Sequence, residues 1–269
     1  CGALYRTPMP VQPMKAIGTL AVAHAAALTQ ASIAAASLVT GVLWLLLGAS
    51  GGAARLARLI PRPVVQGIVM GLGLSFMLQG ARMMATDLAA AAVAFALAVL
   101  LRRSRLFPAM LVLLAGGLAY GVFRQPALWQ AASFGFAPRL PALALSMPGW
   151  NDFLTGTLLL ALPQLPLTMG NAVIAVTEEN NRLFPERPTS VRKVALTTGA
   201  INLAGGLMGG IPMCHGAGGM AAYTAFGARS GGAPVLFGLT LMLLALGFSD
   251  SIGFLLQAVP AAVLGTILF

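Results

Sequence analysis

The fold turns on two short stretches, Pro8-Met9-Pro10-Val11-Gln12-Pro13-Met14-Lys15 and Ile211-Pro212-Met213-Cys214-His215-Gly216-Ala217-Gly218-Gly219. Each resists helix and then leads into an apolar run. In the first, the prolines at 8, 10 and 13 remove backbone donors and hold the chain extended. In the second, Gly209, Gly210 and Pro212 interrupt the chain ahead of a glycine-rich start at Gly216, Gly218 and Gly219. The runs that follow, Met14–Leu28 and Gly216–Phe226, are shorter than the roughly 20 residues that a helix needs to cross a bilayer. A helix that starts at membrane depth is tolerated only where its free N–H groups line a cavity or the protein interior.

Composition sets the solvent. Of 269 residues, 58% are hydrophobic and 8% charged, and the mean hydropathy is +0.89. A soluble domain carries roughly 25% charged residues to cover its surface. A soluble enzyme and a disordered chain are both excluded, and the lipid bilayer becomes the expected partner. A net charge of +10 would point to nucleic acid in a soluble protein, but here the bases fall between apolar runs and read as topology signals. Nucleic acid is therefore not an expected partner. Two cysteines, Cys1 and Cys214, supply neither a disulfide framework nor a Cys/His metal site, and no cofactor is expected.

Ten apolar segments are expected: Met14–Leu28, Ala31–Leu47, Val64–Leu78, Leu88–Leu101, Pro108–Val122, Phe153–Val176, Val194–Met208, Gly216–Phe226, Pro234–Phe248 and Ile252–Phe269. With the loop Gly48–Pro63 in the cytoplasm and strict alternation, the cytoplasmic side holds Arg55, Arg58, Arg62, Arg102, Arg103, Arg105, Arg182, Arg187, Arg192, Lys193 and Arg229. The external side holds only Arg82, Arg124 and Arg139. Eleven bases against three is a strong positive-inside bias. One miscounted segment would scramble it.

The chain also repeats itself. Pro8-Met9 recurs as Pro212-Met213, 204 residues later, and Ile60-Pro61-x-x-Val64-x-x-x-Ile68 recurs as Val259-Pro260-x-x-Val263-x-x-x-Ile267, 199 residues later. Seven crossings separate the copies, so they have opposite orientation. Interrupted segments at matching places in two inverted halves point to a transporter binding site. The two half-helices would aim their N-termini at each other near the midplane and offer an anion unpaired N–H groups and the positive ends of two dipoles. The alternative, that these glycines and prolines serve only helix packing, does not require both halves to match.

The segment Phe153–Val176 carries a polar stripe. Gln164, Thr168 and Asn171, with Glu178 beyond, fall within about 80° of one another at about 100° per residue. For each, a ligand role and an interhelical bond are equal readings, while Glu178 beside Glu179 reads as solvated loop. Lys15 is a base at membrane depth, suited to offsetting a bound anion's charge or to snorkelling outward, and Gln12 offers amide donors. His215 beside Cys214 invites a thiol–imidazole reading, but no third orienting group is identifiable. His215 reads better as a donor to a ligand or a carrier of a coupling proton, and His24 as a packing residue.

The run Tyr5-Arg6-Thr7-Pro8-Met9-Pro10-Val11-Gln12-Pro13-Met14-Lys15-Ala16 resembles the first signature of the molybdate-transporter branch of the sulfate-permease superfamily, and Ile211–Gly219 resembles its second. Leu162-Pro163-Gln164-Leu165-Pro166-Leu167-Thr168 through Asn171-Ala172-Val173 looks like that branch's helix into the second half, and Pro61–Gly67 is similar to a segment shared with sulfate permeases. The resemblance covers nearly the whole chain. It implies an all-α polytopic membrane protein, a seven-plus-seven inverted repeat with core and gate domains, whose third and tenth segments are half-helices led in by short strands. Residues 1–128 would then be segments three to seven, and 129–269 segments eight to twelve. The family's first two and last two segments have no counterpart in the chain. On the repeat logic, this chain would be the middle of a protein of roughly 385 residues.

The function implied is secondary active uptake of a tetrahedral oxyanion, molybdate first and sulfate second, in a bacterial inner membrane, with a homodimer suggested by the family. The expected substrate contacts are Gln12, Lys15, Gln164, Thr168, Asn171, Cys214, His215, Gly216, Ala217 and Gly218. A proton-coupled nucleobase permease of the same fold is the alternative. It is disfavoured because related permeases place acids on the eighth and tenth segments, where this chain has Asn171 and glycines. An intramembrane enzyme using Cys214 and His215 is the remaining alternative.

Overall fold

In the computed structural model, residues 1–15, 17, 28–101, 104, 109–127, 138, 148–248, 254 and 258–269 are described. Most of Met14–Leu28 with His24, and the bases Arg102, Arg103, Arg105 and Arg139, lie outside them, as do residue 128 at the expected junction of the repeats and much of 252–257. The elements, in chain order, are α1 (Gly2–Tyr5), β1 (Gln12–Pro13), α2 (Gln30–Ala49), α3 (Gly52–Leu59), α4 (Arg62–Met84), α5 (Leu88–Leu101) and α6 (Ala109–Arg124). There follow α7 (Trp150–Leu183), α8 (Val191–Leu207), β2 (Met213–Cys214), α9 (Ala217–Ala225), α10 (Gly232–Gly247) and α11 (Ala261–Leu268). Nine of the ten expected apolar segments coincide with one of these helices in whole or part. The short amphipathic α3, with Ala53 buried and Arg55 and Arg58 outward, replaces what read as loop.

Helices α2 (20 residues, mean hydropathy 2.0) and α7 (34 residues, 1.5) are long and apolar enough to span a bilayer. Leu100, Phe123, Leu236 and Leu243 are exposed, as a lipid-facing surface requires. Helix α7 is not uniform. Gly156–Ala161 and Thr168–Ala175 are π-helical, and the Leu162 N–H donates to the Thr157 carbonyl, five residues back. Pro163 and Pro166 lie between these stretches. Each removes an N–H and crowds the carbonyl four residues earlier, so the wider π register relieves the ladder on either side. The angles counted for the polar stripe assumed an α-helix throughout. Glu178, placed on the stripe by that count, is exposed.

The chain forms two compact units, each from two stretches. One comprises Cys1–Met70 and Ala142–Leu236, the other Gly71–Pro141 and Phe237–Phe269. In the first, α2 packs along α8 through interlocked glycines and leucines. A methyl on Gly41 would stand 2.8 Å from the Leu203 backbone N, and one on Gly199 2.6 Å from that of Leu45; Gly48 abuts Leu196 and Gly206 abuts Leu38. Such close approach of backbones is the usual source of cohesion between membrane helices, where burial drives little. Thr29 caps α2 by accepting from the Ser32 N–H at 3.0 Å, and the Arg192 guanidinium caps its other end on the Gly48 carbonyl at 3.2 Å. In the second unit Gly80 and Gly265 approach closely, and α5, α6 and α11 share a core of Ala94, Leu113 and Val263.

Helices α4 and α11 each begin one residue after a proline, Pro61 and Pro260, and so hold the 199-residue repeat in register. The 204-residue match does not hold. β1 and β2 begin 201 residues apart, so Pro8 and Pro212 occupy different places, one well before its strand and one immediately before.

Candidate functional site

Strands β1 and β2 pair antiparallel, Gln12 opposite Cys214 and Pro13 opposite Met213. The Met14 N–H donates to the Pro212 carbonyl at 2.9 Å. Antiparallel partners alternate between hydrogen-bonded and non-bonded pairs. Met213 directs both its backbone groups away from β1, at Asn202, so Pro13 stands where the ladder asks for no N–H. That explains how a proline sits inside a strand.

Beyond β2 the chain turns at Gly216 into α9, whose first N–H groups open at the strand pair. The Gln12 side chain lies across this opening. A methyl on Gly216 would collide with Gln12 Nε2 and stand 3.5 Å from Asn171 Nδ2, and one on Gly219 would stand 2.9 Å from Gln12 Oε1. Gly216 has φ −157° and ψ 132°, extended backbone open to any residue, so glycine is required here for space and not for conformation. Gln12 Nε2 and Asn171 Oδ1 are buried without a hydrogen-bond partner. An unpaired polar atom costs about 1–3 kcal/mol, so a buried Gln12 amide N left unpaired over a helix N-terminus, with the Asn171 amide close by, marks a place built for something polar.

Of the expected contacts, Gln12, Asn171 and Gly216 converge. Ala217 is buried and Gly218 exposed in the first turn of α9. Gln164 and Thr168 lie buried further along α7, with Gln164 Nε2 donating to Thr168 Oγ1 at 3.1 Å. Lys15 is half-buried just past β1. The remaining two depart from expectation. Cys214 turns into an apolar cluster with Met14, Ile17, Ala36, Leu160 and Ala172. His215 is fully buried, with Nδ1 2.7 Å from the Pro10 carbonyl and Nε2 2.9 Å from Thr197 Oγ1. A carbonyl only accepts, so Nδ1 carries the hydrogen, while Nε2 meets the Thr197 hydroxyl, which also lies 3.1 Å from the Lys193 carbonyl and 3.0 Å from the Val194 carbonyl. The Tyr5 hydroxyl extends this chain, 2.6 Å from Thr197 Oγ1. Both ring nitrogens are thus occupied by the protein, and His215 is a strut rather than a donor open to a ligand. It also faces away from the Cys214 cluster, which dismantles the thiol–imidazole pair.

The sequence alone assigns no role to Asn202, Thr197 or Tyr5, while Gly219 belongs to the glycine-rich start it does mark. A lone Asn among the apolar and small residues 199–207 was the available signal for Asn202. The contacts of Thr197 and Tyr5 span 18 and 192 residues and left no local trace.

The sequence model of one family, described as "Molybdate transporter of MFS superfamily", matches residues 1–76 and 156–269. Molybdate transporter 2 of Arabidopsis thaliana is 33% identical over 99% of this chain and 67% of its own length. Molybdate transporter 1 of the same plant is 31% identical over 99% and 68%. Molybdate transporter 1 of Chlamydomonas reinhardtii is 44% identical over 60% of this chain and 31% of its own length. Among solved structures, the transmembrane domain of a cyanobacterium bicarbonate transporter, BicA, superimposes with a TM-score of 0.65 at 16% identity, covering 98% of this chain and 74% of that one. SLC26A9 superimposes with a TM-score of 0.56 at 15% identity, over 98% and 49%. The fold is therefore the inverted repeat of these two neighbours. The chain belongs to the molybdate transporter family and is a multi-pass membrane transporter, not an enzyme.

Proposed function

We propose that this chain binds a tetrahedral oxyanion, molybdate before sulfate, at the α9 N-terminus and carries it across the membrane. The observation that carries the reading is the Gln12 amide lying over Gly216 and Gly219 with Nε2 unpartnered, beside Asn171. A dianion that sheds its water needs several N–H donors, and backbone at a helix start supplies them together with favourable dipole potential. Ala217 and Gly218 contribute that backbone. Gln12 and Asn171 add side-chain donors, an Asn amide being free to present either end. Gln164 and Thr168 continue the polar face, and Lys15 offsets part of the charge. Cys214 and His215 hold the strand pair rather than the anion. The names of the relatives support molybdate. The unit that carries the site moves as one body to expose it on alternate sides.

The test is uptake of labelled molybdate by the protein in proteoliposomes. Gln12→Ala, and Gln164→Ala combined with Asn171→Ala, should each lose saturable uptake while inserting normally. Wild-type uptake in both would overturn the site, and sulfate failing to compete would remove it as second substrate.

A further inference from the structure

A ribbon of two residues per strand has almost no stability of its own, and isolated hairpins far longer are marginal in water. Yet β1 and β2 fix where the α9 N-terminus points. Something outside the ribbon has to hold it. The free edge of β2 is occupied by one side chain. Asn202 Oδ1 accepts from the Met213 N–H at 2.8 Å, and Asn202 Nδ2 donates to the Met213 carbonyl at 2.6 Å and to the Thr198 carbonyl at 2.7 Å. Asn202 is 1% exposed, so these bonds stand in a dry interior. One donor and one acceptor meeting both backbone groups of a single residue is what a neighbouring strand would supply. Among side chains only a carboxamide offers that pair in one plane with a second N–H left over for the Thr198 carbonyl. The third bond, to Thr198 on the same helix, fixes the amide's orientation before it meets the strand.

We propose that Asn202 is a positioning residue for the substrate: its carboxamide serves β2 as a third strand, and this clamp sets anion affinity by keeping the α9 N-terminus in its binding-competent place. The inference rests on the oxyanion reading above. Its consequence is quantitative. If β2 is held only part of the time, the apparent dissociation constant rises by the inverse of that fraction, while transport of bound anion is unaffected. Asn202 touches no substrate and acts through Met213, three residues ahead of Gly216. Thr198 supplies an internal control, because the clamp uses only its carbonyl and its hydroxyl has no partner.

The experiment uses the protein in proteoliposomes with Cys1→Ser, leaving Cys214 as its one thiol. Asn202→Ala is expected to raise the molybdate KM by about tenfold or more, the loss of one buried hydrogen-bond pair, with Vmax per inserted molecule within about twofold. Cys214, 3% exposed beside Met213, should react with a maleimide about tenfold faster as β2 loosens. Thr198→Ala should change neither. Asn202→Asp, which turns a donor into a carboxylate oxygen facing two carbonyls, should move both readouts in the same direction, and it stands in if Asn202→Ala does not insert. An unchanged KM, a loss confined to Vmax, or unaltered labelling in an inserted variant would each overturn the clamp. If the wild-type protein takes up no molybdate, the substrate reading fails, and labelling alone then decides: faster labelling upholds the clamp and equal labelling overturns it.

Discussion

Gly216→Ala separates space from conformation at the site. The extended backbone of Gly216 admits alanine without strain, so the whole effect comes from the added methyl. That methyl would collide with Gln12 Nε2 and stand 3.0 Å from Gln12 Cδ, the far end of a side chain with three rotatable bonds. Gln12 can therefore swing aside, and the cost to folding stays below the roughly 1–3 kcal/mol of a trapped overpacking. Binding has no such escape, because the displaced amide no longer reaches the α9 N-terminus. Losing a donor to a charged group costs about 1.5–3 kcal/mol, or roughly 10- to 150-fold in affinity. Molybdate binding by the detergent-purified protein should weaken by that factor, while its melting temperature moves by only a few degrees. In a double-mutant cycle, Gly216→Ala on a Gln12→Ala background should add almost nothing, since both remove the same contact. Full additivity, or wild-type affinity in Gly216→Ala, would show that Gln12 is not where the anion binds.

Gly41→Ala meets the Leu203 backbone N, which no rotamer change relieves, so it should cost about 1–3 kcal/mol of stability and lower the melting temperature with KM unchanged in the folded fraction. Ser190 caps α8 by accepting from the Lys193 N–H at 3.2 Å, and Ser190→Ala should cost about 1 kcal/mol by the same melt. Asp87 is held below the usual carboxylate range, first by the Ala90 N–H and then by the Tyr120 hydroxyl. A depressed carboxylate stabilises the fold above its unfolded pKa of about 3.9 and loses that contribution as pH falls through its lower folded value. Melts between pH 6 and 3 should therefore fall more steeply for wild type than for Asp87→Asn, and parallel curves would refute the assignment.

Much of the fold was legible because lipid makes sequence simple. Backbone must be satisfied within each segment, so apolar length and proline or glycine breaks mark the helices directly, and the start of α5 at Leu88 was placed to the residue. The interrupted helix at Gly216 was visible for the same reason. What was hidden belongs to tertiary geometry. The π stretches of α7 shift its polar stripe in a way that 100° steps cannot express. His215 looked available because a sequence shows a titratable ring and not the Pro10 carbonyl 205 residues away that occupies it. The apparent 204-residue repeat counted a Pro-Met coincidence, where the two strands begin 201 residues apart.

The seam between α2 and α8 has a consequence for motion. Leu38, Gly41, Leu45 and Gly48 recur 158 residues later as Leu196, Gly199, Leu203 and Gly206, each leucine of one helix seated on a glycine of the other. The arrangement works like a vernier. A slip of three or four residues, about 5–6 Å, would set leucine against leucine, and only a slip of seven, about 10 Å, brings some notches back into match. Gradual shear along this line is therefore blocked. Whatever rearrangement moves the anion, these two helices travel as one piece, and the give in the molecule lies elsewhere.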